Sequence, residues 1–343
     1  MKNFILLVMF ILVAVGVAGW GSYSWPPSPG TQIQSDRTTE VSQNPLPTVT
    51  TDQKNVELPL VDAERLWRHL EALVGERYED SDRDRTQKYI FQQLQSMGFS
   101  PRLQPFNAGV NIFAQRQGTD PSSGAILVAA HYDSVLRSPG ADDNATGVAT
   151  VLEVARLLGS RPTPRTLQVA LFDREELGLL GSLAFAGKPS HLQDLQGVIV
   201  LDMVGYACHT AGCQRYPEGL VSNQLLEAAG ITSPDRGEFL AVVGDAEHLP
   251  LLATFADSRM AGLPPVVTLP VPLKGVLTPD VLRSDHAPFW YKGVGAVLVT
   301  DTANLRSPHY HQPSDTLATI DRSFFAGAAQ IVINATAKLL VSS

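Results

Sequence analysis

The strongest constraint on the fold is an apolar run, Ala125-Ile126-Leu127-Val128-Ala129-Ala130, that breaks off at His131-Tyr132-Asp133-Ser134. A run this short, with no polar alternation, reads as a strand buried on both faces. Around it, strand-like and helical patterns alternate. Gly109 to Arg116, Thr166 to Phe172, Gly197 to Leu201 and Gly295 to Val299 read as strands. Val61 to Val74, Ser81 to Met97, Thr146 to Leu158, Glu176 to Ala186 and Arg322 to Leu340 read as helices. Gly98 is a C-terminal stop for the second of these. Such alternation predicts an α/β protein whose mixed, largely parallel sheet is sandwiched by helices, with ligands gathering beyond the carboxyl ends of the strands.

The 343 residues suit one large domain plus an appendage. After Met1-Lys2-Asn3, Phe4 through Trp20 is uncharged and apolar, long enough to span a bilayer at about 1.5 Å per residue. Residues 1–20 read as a transmembrane anchor with Lys2 on the cytoplasmic side, or as a signal peptide cleaved near Gly16-Val17-Ala18. The length of the run favours the anchor. Both readings put the rest of the chain outside the cytoplasm, held at a membrane or free as a periplasmic or secreted protein. Residues 21–57 are rich in Ser, Thr, Pro, Gln and Asp and read as a disordered linker, leaving 58–343 as the folded domain. Within it, about 205–279 is rich in Pro and Gly and weak in period, and reads as a lid-like insertion over the strand ends. Cys208 and Cys213 either close a small disulfide loop or stay as buried thiols. A net charge of −8 and the lack of a Lys/Arg stripe argue against a nucleic-acid partner.

Chemistry-bearing groups cluster where strands end. The first strand runs into His131 and Asp133, then the turn Pro139-Gly140-Ala141-Asp142-Asp143-Asn144. The second gives Asp173-Arg174-Glu175-Glu176, the third Asp202, and a late loop His309-Tyr310-His311. Charge at the end of a buried strand is costly unless a bound cation offsets it. Imidazole and carboxylate ligands suit zinc, and two zincs sharing one carboxylate need about five ligands plus a base that is not a ligand. Taken singly, each group has a bland origin, such as a helix-start charge for Glu175-Glu176. Together they form the inventory of a two-metal hydrolase.

From about Asp62 to Leu340 the chain resembles metallopeptidase family 28, the co-catalytic di-zinc aminopeptidases, to which glutaminyl cyclases and glutamate carboxypeptidases are related. The motifs His131-x-Asp133-Ser134, Gly140-Ala141-Asp142-Asp143-Asn144, Asp173-Arg174-Glu175-Glu176-Leu177-Gly178, Leu201-Asp202-Met203 and Tyr310-His311-x-Pro313-x-Asp315-Thr316 carry the resemblance. It implies two Zn2+ ions held by His131, Asp143, Glu176, Asp202 and His311, with Asp143 as the bridge and Asp142 as a bystander. It implies Glu175 as general base, Tyr310 as the group steadying the oxyanion, and Asp133 as the orienter of His131. It also implies a strained, cis-type peptide after the bridging Asp. Position in the motif favours His311 over His309 as the last ligand. Ser284-Asp285-His286 matches a further signature with no role assigned. The implied activity is removal of N-terminal residues from peptides with a free N-terminus. The alternatives are a glutaminyl-peptide cyclotransferase, or a carboxypeptidase or dipeptidase using Arg215, Arg236, Arg259 or Arg283 for a substrate carboxylate. A non-catalytic binding ectodomain is disfavoured by the intact ligand set.

Overall fold

The computed structural model describes residues 58–217, 221–258 and 260–342. The anchor or signal reading of 1–20, the linker reading of 21–57 and Arg259 lie outside the described residues. The described chain begins with helices α1 (Ala63–Leu73) and α2 (Asp80–Ser96), followed by strands β1 (Arg102–Phe106), β2 (Gly109–Arg116) and β3 (Ala125–His131). Helix α3 (Gly147–Leu158), β4 (Thr166–Phe172), α4 (Leu180–Ala186), the single turn α5 (Pro189–Leu192) and β5 (Leu195–Leu201) come next. The second half holds α6 (Asn223–Ala228), β6 (Leu240–Asp245), α7 (Leu249–Ala256), β7 (Val266–Val271), α8 (Ala287–Tyr291), β8 (Ala296–Thr300) and α9 (Arg322–Val341).

The eight strands form one sheet in the order β1-β2-β4-β3-β5-β8-β6-β7. Its centre, β4-β3-β5-β8, is parallel. The flanking strands β2 and β6 run antiparallel to their central neighbours, which makes the sheet mixed as expected. Strand β3 shows why an unbroken apolar run was needed. Ile126, Val128 and Ala130 face a core built on α1, α3 and α9, while Leu127 and Ala129 face a second core with Phe185, Phe289 and Trp290 from α4 and α8. Burying each of the Leu, Ile, Val and Phe side chains among them contributes on the order of 1.5–3 kcal/mol. Helix α9 is long and apolar enough to cross a membrane, but it is largely buried in the first core, as a core helix is.

Two expectations need correction. The stretch 205–279 is not simply a lid: it supplies β6, α7 and β7 to the sheet itself. Its strands were masked by proline, and Pro270 is tolerated because β7 is an edge strand that can spare a ladder donor. The same holds for Pro105 in β1, the other edge, which carries no strand pattern in the sequence. The helix expected from Glu176 begins only at Leu180, because Gly178 (φ 101°) and Leu179 (φ 61°) take positive-φ backbone that a right-handed helix excludes.

Candidate metal centre and active site

The chain leaves β3 for β4 on one side and continues to β5 on the other, so a crevice opens at the carboxyl end of β3. Every motif of the sequence converges there. His131 ends β3, Glu175 and Glu176 follow β4, and Asp202 follows β5. Asp143 lies in the tight turn Ala141–Thr146 leading into α3, where the Asp143–Asn144 peptide is cis.

Asp143 stands between the two histidines. Its Oδ1 is 3.3 Å from His131 Nε2, and its Oδ2 is 3.2 Å from His311 Nε2. Asp202 Oδ1 is 3.6 Å from the same His131 nitrogen, and Glu176 Oε2 is 3.0 Å from His311 Nε2. Two trios result, His131–Asp143–Asp202 and Asp143–Glu176–His311, each with ligand atoms within 4.8 Å of one another. They share Asp143. A third trio, His131–Glu175–Glu176, meets the same limit. His309 is elsewhere: its Nδ1 is 2.9 Å from Ser314 Oγ, and it belongs to none of the three.

The electrostatics of this cluster call for cations. Burial pushes the His131 imidazole down, but Glu175, Asp133, Asp143 and Asp202 outweigh it and hold the ring well above its usual range. His311, likewise opposed by burial, is lifted to about 10 by Asp143 and Glu176. Burial, then the Asp143 carboxylate, raises Glu176 to about 7, and its Oε1 is buried without a hydrogen-bond partner. Burial raises Glu175 well above the carboxylate range, with Asp202, Asp285 and Glu176 adding to the effect against His131. Buried acids in excess of bases, with nitrogen and oxygen donors aimed at common points and one orphaned oxygen, fit divalent metal, and the N/O donor set fits zinc.

Two carboxylates that touch neither His311 nor Asp202 hold the cluster in shape. Asp133 accepts from the backbone N–H of Glu175 at 3.1 Å and of Glu176 at 3.3 Å, and its Oδ1 is 3.5 Å from His131 Nδ1. Asp315 does the same across the crevice, accepting from the N–H groups of Asp142 and Asp143 at 2.9 and 3.0 Å. Arg77, fully buried, donates to the carbonyls of Leu73, Gly75, Tyr132, Pro139 and Gly140, wrapping the loop that carries Asp143. Gly140 is left-handed there (φ 59°), and a Cβ would run into Arg77 and the Asp143 carbonyl. Asp315 is visible inside its sequence motif without a role, whereas nothing in the sequence marks Arg77.

Asp142 is not idle. Its Oδ1 accepts from Gly205 N–H at 2.8 Å, and its carboxyl faces Asp301, so burial and that neighbour raise its pKa well above the usual range. Of the Ser284-Asp285-His286 signature, Asp285 is buried beside the site and lifted to about 7, by burial first. His286 donates from Nε2 to the Val281 carbonyl at 2.7 Å and packs edge-on against Trp290.

The cluster forms one end of a cavity of about 480 Å³. Tyr216, Val221, Phe239, Val243, Val267 and Leu298 make its apolar walls. Cys208 and Cys213 are joined in a disulfide, and Arg306 fastens the neighbouring wall by donating to Gln214 Oε1 and the Phe239 carbonyl, both at 2.8 Å. Tyr310 stacks on His311 with centroids 3.8 Å apart. Of the arginines considered for a substrate carboxylate, Arg215 and Arg283 line the cavity and Arg236 does not.

Acid and imidazole groups gathered at the switch point of an α/β sheet suit metal-assisted hydrolysis, and the comparison with known proteins gives the class as peptidase. The chain belongs to peptidase family M28, whose sequence profile matches residues 111–232. It is similar to YfbL of Escherichia coli (strain K12), an uncharacterized protein, at 32% identity over 289 residues, covering 78% of this chain and 84% of that one. Its fold matches the aminopeptidase from Aneurinibacillus sp. strain AM-1 with a TM-score of 0.62 at 18% identity, over 82% of this chain and 95% of that chain. BSAP, a zinc aminopeptidase from Bacillus subtilis, matches with a TM-score of 0.50 at 25% identity, over 68% of this chain and 50% of that chain.

Proposed function

We propose that this peptidase is a di-zinc aminopeptidase that removes apolar residues from peptides with a free N-terminus. The observation that carries the reading is the shared carboxylate: Asp143 presents one oxygen toward His131 and the other toward His311. His131, Asp143 and Asp202 would hold one ion, and Asp143, Glu176 and His311 the other. Zinc supplies Lewis-acid polarisation of the scissile carbonyl and acidifies a water, the usual contribution of such ions.

The chain's own groups do the rest. Glu175, buried and raised in pKa, accepts a proton from the attacking water on its carboxylate and passes it to the nitrogen of the departing amine. That transfer balances the step: the carbonyl carbon gains the water oxygen, the C–N bond breaks, and the amine leaves neutral. The Tyr310 hydroxyl, kept protonated by burial and the nearby carboxylates, donates to the oxygen that becomes negative. Asp133 fixes Glu175 and Glu176 through their backbone amides. The acidic cluster attracts the substrate's α-ammonium, and the apolar cavity walls take the first side chain. The Cys208–Cys213 disulfide and the apolar run within residues 1–20 support a site of action outside the cytoplasm, at a membrane if that segment is retained.

Glu175→Gln tests the assignment. The variant should lose hydrolysis of leucyl fluorogenic substrates by at least about 1000-fold while keeping its metal. Activity retained in that variant would sink the role of Glu175.

A further inference from the structure

We propose that Arg283 reads the C-terminal carboxylate of the substrate, which makes dipeptides the preferred substrate class. The inference rests on the aminopeptidase reading above, with Tyr310 facing the scissile carbonyl. Arg283 follows the short turn Pro279–Leu282 and lines the cavity. Its Nη2 donates to Tyr310 Oη at 3.2 Å. Among the described residues no carboxylate pairs with this guanidinium, and Tyr310 Oη is the group it is hydrogen-bonded to. Elsewhere the arginines near the site are spoken for: Arg77 by carbonyls, Arg83 by Asp173, and Arg306 by Gln214 and Phe239. Arg215 also lines the cavity but donates to the Asn304 carbonyl. An exposed guanidinium with donors to spare, lining the same cavity as the acidic cluster, can grip an anionic group of a bound molecule through parallel N–H bonds.

The spacing fits an anion carried by the residue after the scissile bond. Tyr310 Oη at hydrogen-bond distance from the scissile oxygen, about 2.7 Å, leaves the Arg283 guanidinium within about 6 Å of that oxygen. From the scissile carbon, bonds of about 1.33, 1.46 and 1.52 Å lead to the carbonyl carbon of the next residue. In a dipeptide that carbon belongs to the terminal carboxylate, which the planar guanidinium can grip through two parallel bonds. A longer peptide puts a neutral carbonyl there. The acidic cluster would therefore recognise the charge at one end of the substrate and Arg283 the charge at the other.

The test compares kcat/KM for Leu-Leu and for its C-terminal amide, using the full-length chain in zinc-containing buffer, as wild type, Arg283→Gln and Arg283→Lys. The wild type should prefer the free acid. Arg283→Gln should lower kcat/KM for Leu-Leu by about tenfold to a hundredfold and affect the amide far less, with Arg283→Lys restoring part of the loss. Equal losses on both substrates would mean that Arg283 merely steadies Tyr310, and would overturn the proposal. So would a wild type that cleaves the amide as well as the acid. A wild type that releases leucine from neither would overturn the aminopeptidase reading itself, and this inference with it.

Discussion

At the scale of single residues, the site depends on two carboxylates that each grip a pair of consecutive backbone amides. Asp133 holds Glu175 and Glu176, and Asp315 holds Asp142 and Asp143. A carboxylate accepts two such bonds, whereas an amide side chain would set an N–H against an N–H. Asp315→Asn should therefore loosen the Asp143 turn and weaken zinc binding by about tenfold to a hundredfold with the fold intact, read by competition with a chelator alongside circular dichroism. Unchanged zinc affinity would show that the clamp is dispensable. Most residues of the cluster are legible in the sequence, because metal-type groups at the ends of apolar strands are costly to bury unless a cation joins them. The part played by Asp142 is not legible, because its partners, Gly205 and Asp301, are remote in sequence. Arg77 is invisible for a related reason: its task is to satisfy carbonyls, which any sequence supplies.

At the scale of elements, helices α1 and α2 meet through His69 and Tyr89, whose Nδ1 and hydroxyl are 2.8 Å apart. Burial lowers the His69 pKa to about 4, from about 6.5 in an unfolded chain. As pH falls, the unfolded chain takes up that proton first, so the contribution is full above about pH 6.5 and is lost on the way down to about 4. The loss should approach about 3 kcal/mol. His69→Gln should flatten that part of the stability profile in urea titrations from pH 7 to 4, while identical slopes for both proteins would rule the histidine out as the cause. Elements with a strong apolar signal, the unbroken run of β3, the stripe of α3 and the long apolar α9, are legible from sequence. Those that are not have physical reasons: proline on both sheet edges, and a helix start displaced by the positive-φ backbone of Gly178 and Leu179.

At the scale of the whole molecule, the sheet gathers the candidate ligands from the ends of β3, β4 and β5 and from the late loop because its connections part at β3. Buried acids at such a point destabilise the fold unless cations join them, so metal and fold should be linked. The stretch 205–279 contributes at this scale twice, as strands that widen the sheet and as the wall of the cavity that faces the substrate. The central claim is that Asp143 bridges two ions. Zinc bound per chain, measured by elemental analysis after equilibration with buffered zinc, tests it most directly. Two equivalents are expected, falling when Asp143 is replaced by Ala. One equivalent in the unaltered chain would contradict the bridge and favour the single-zinc chemistry of a cyclase.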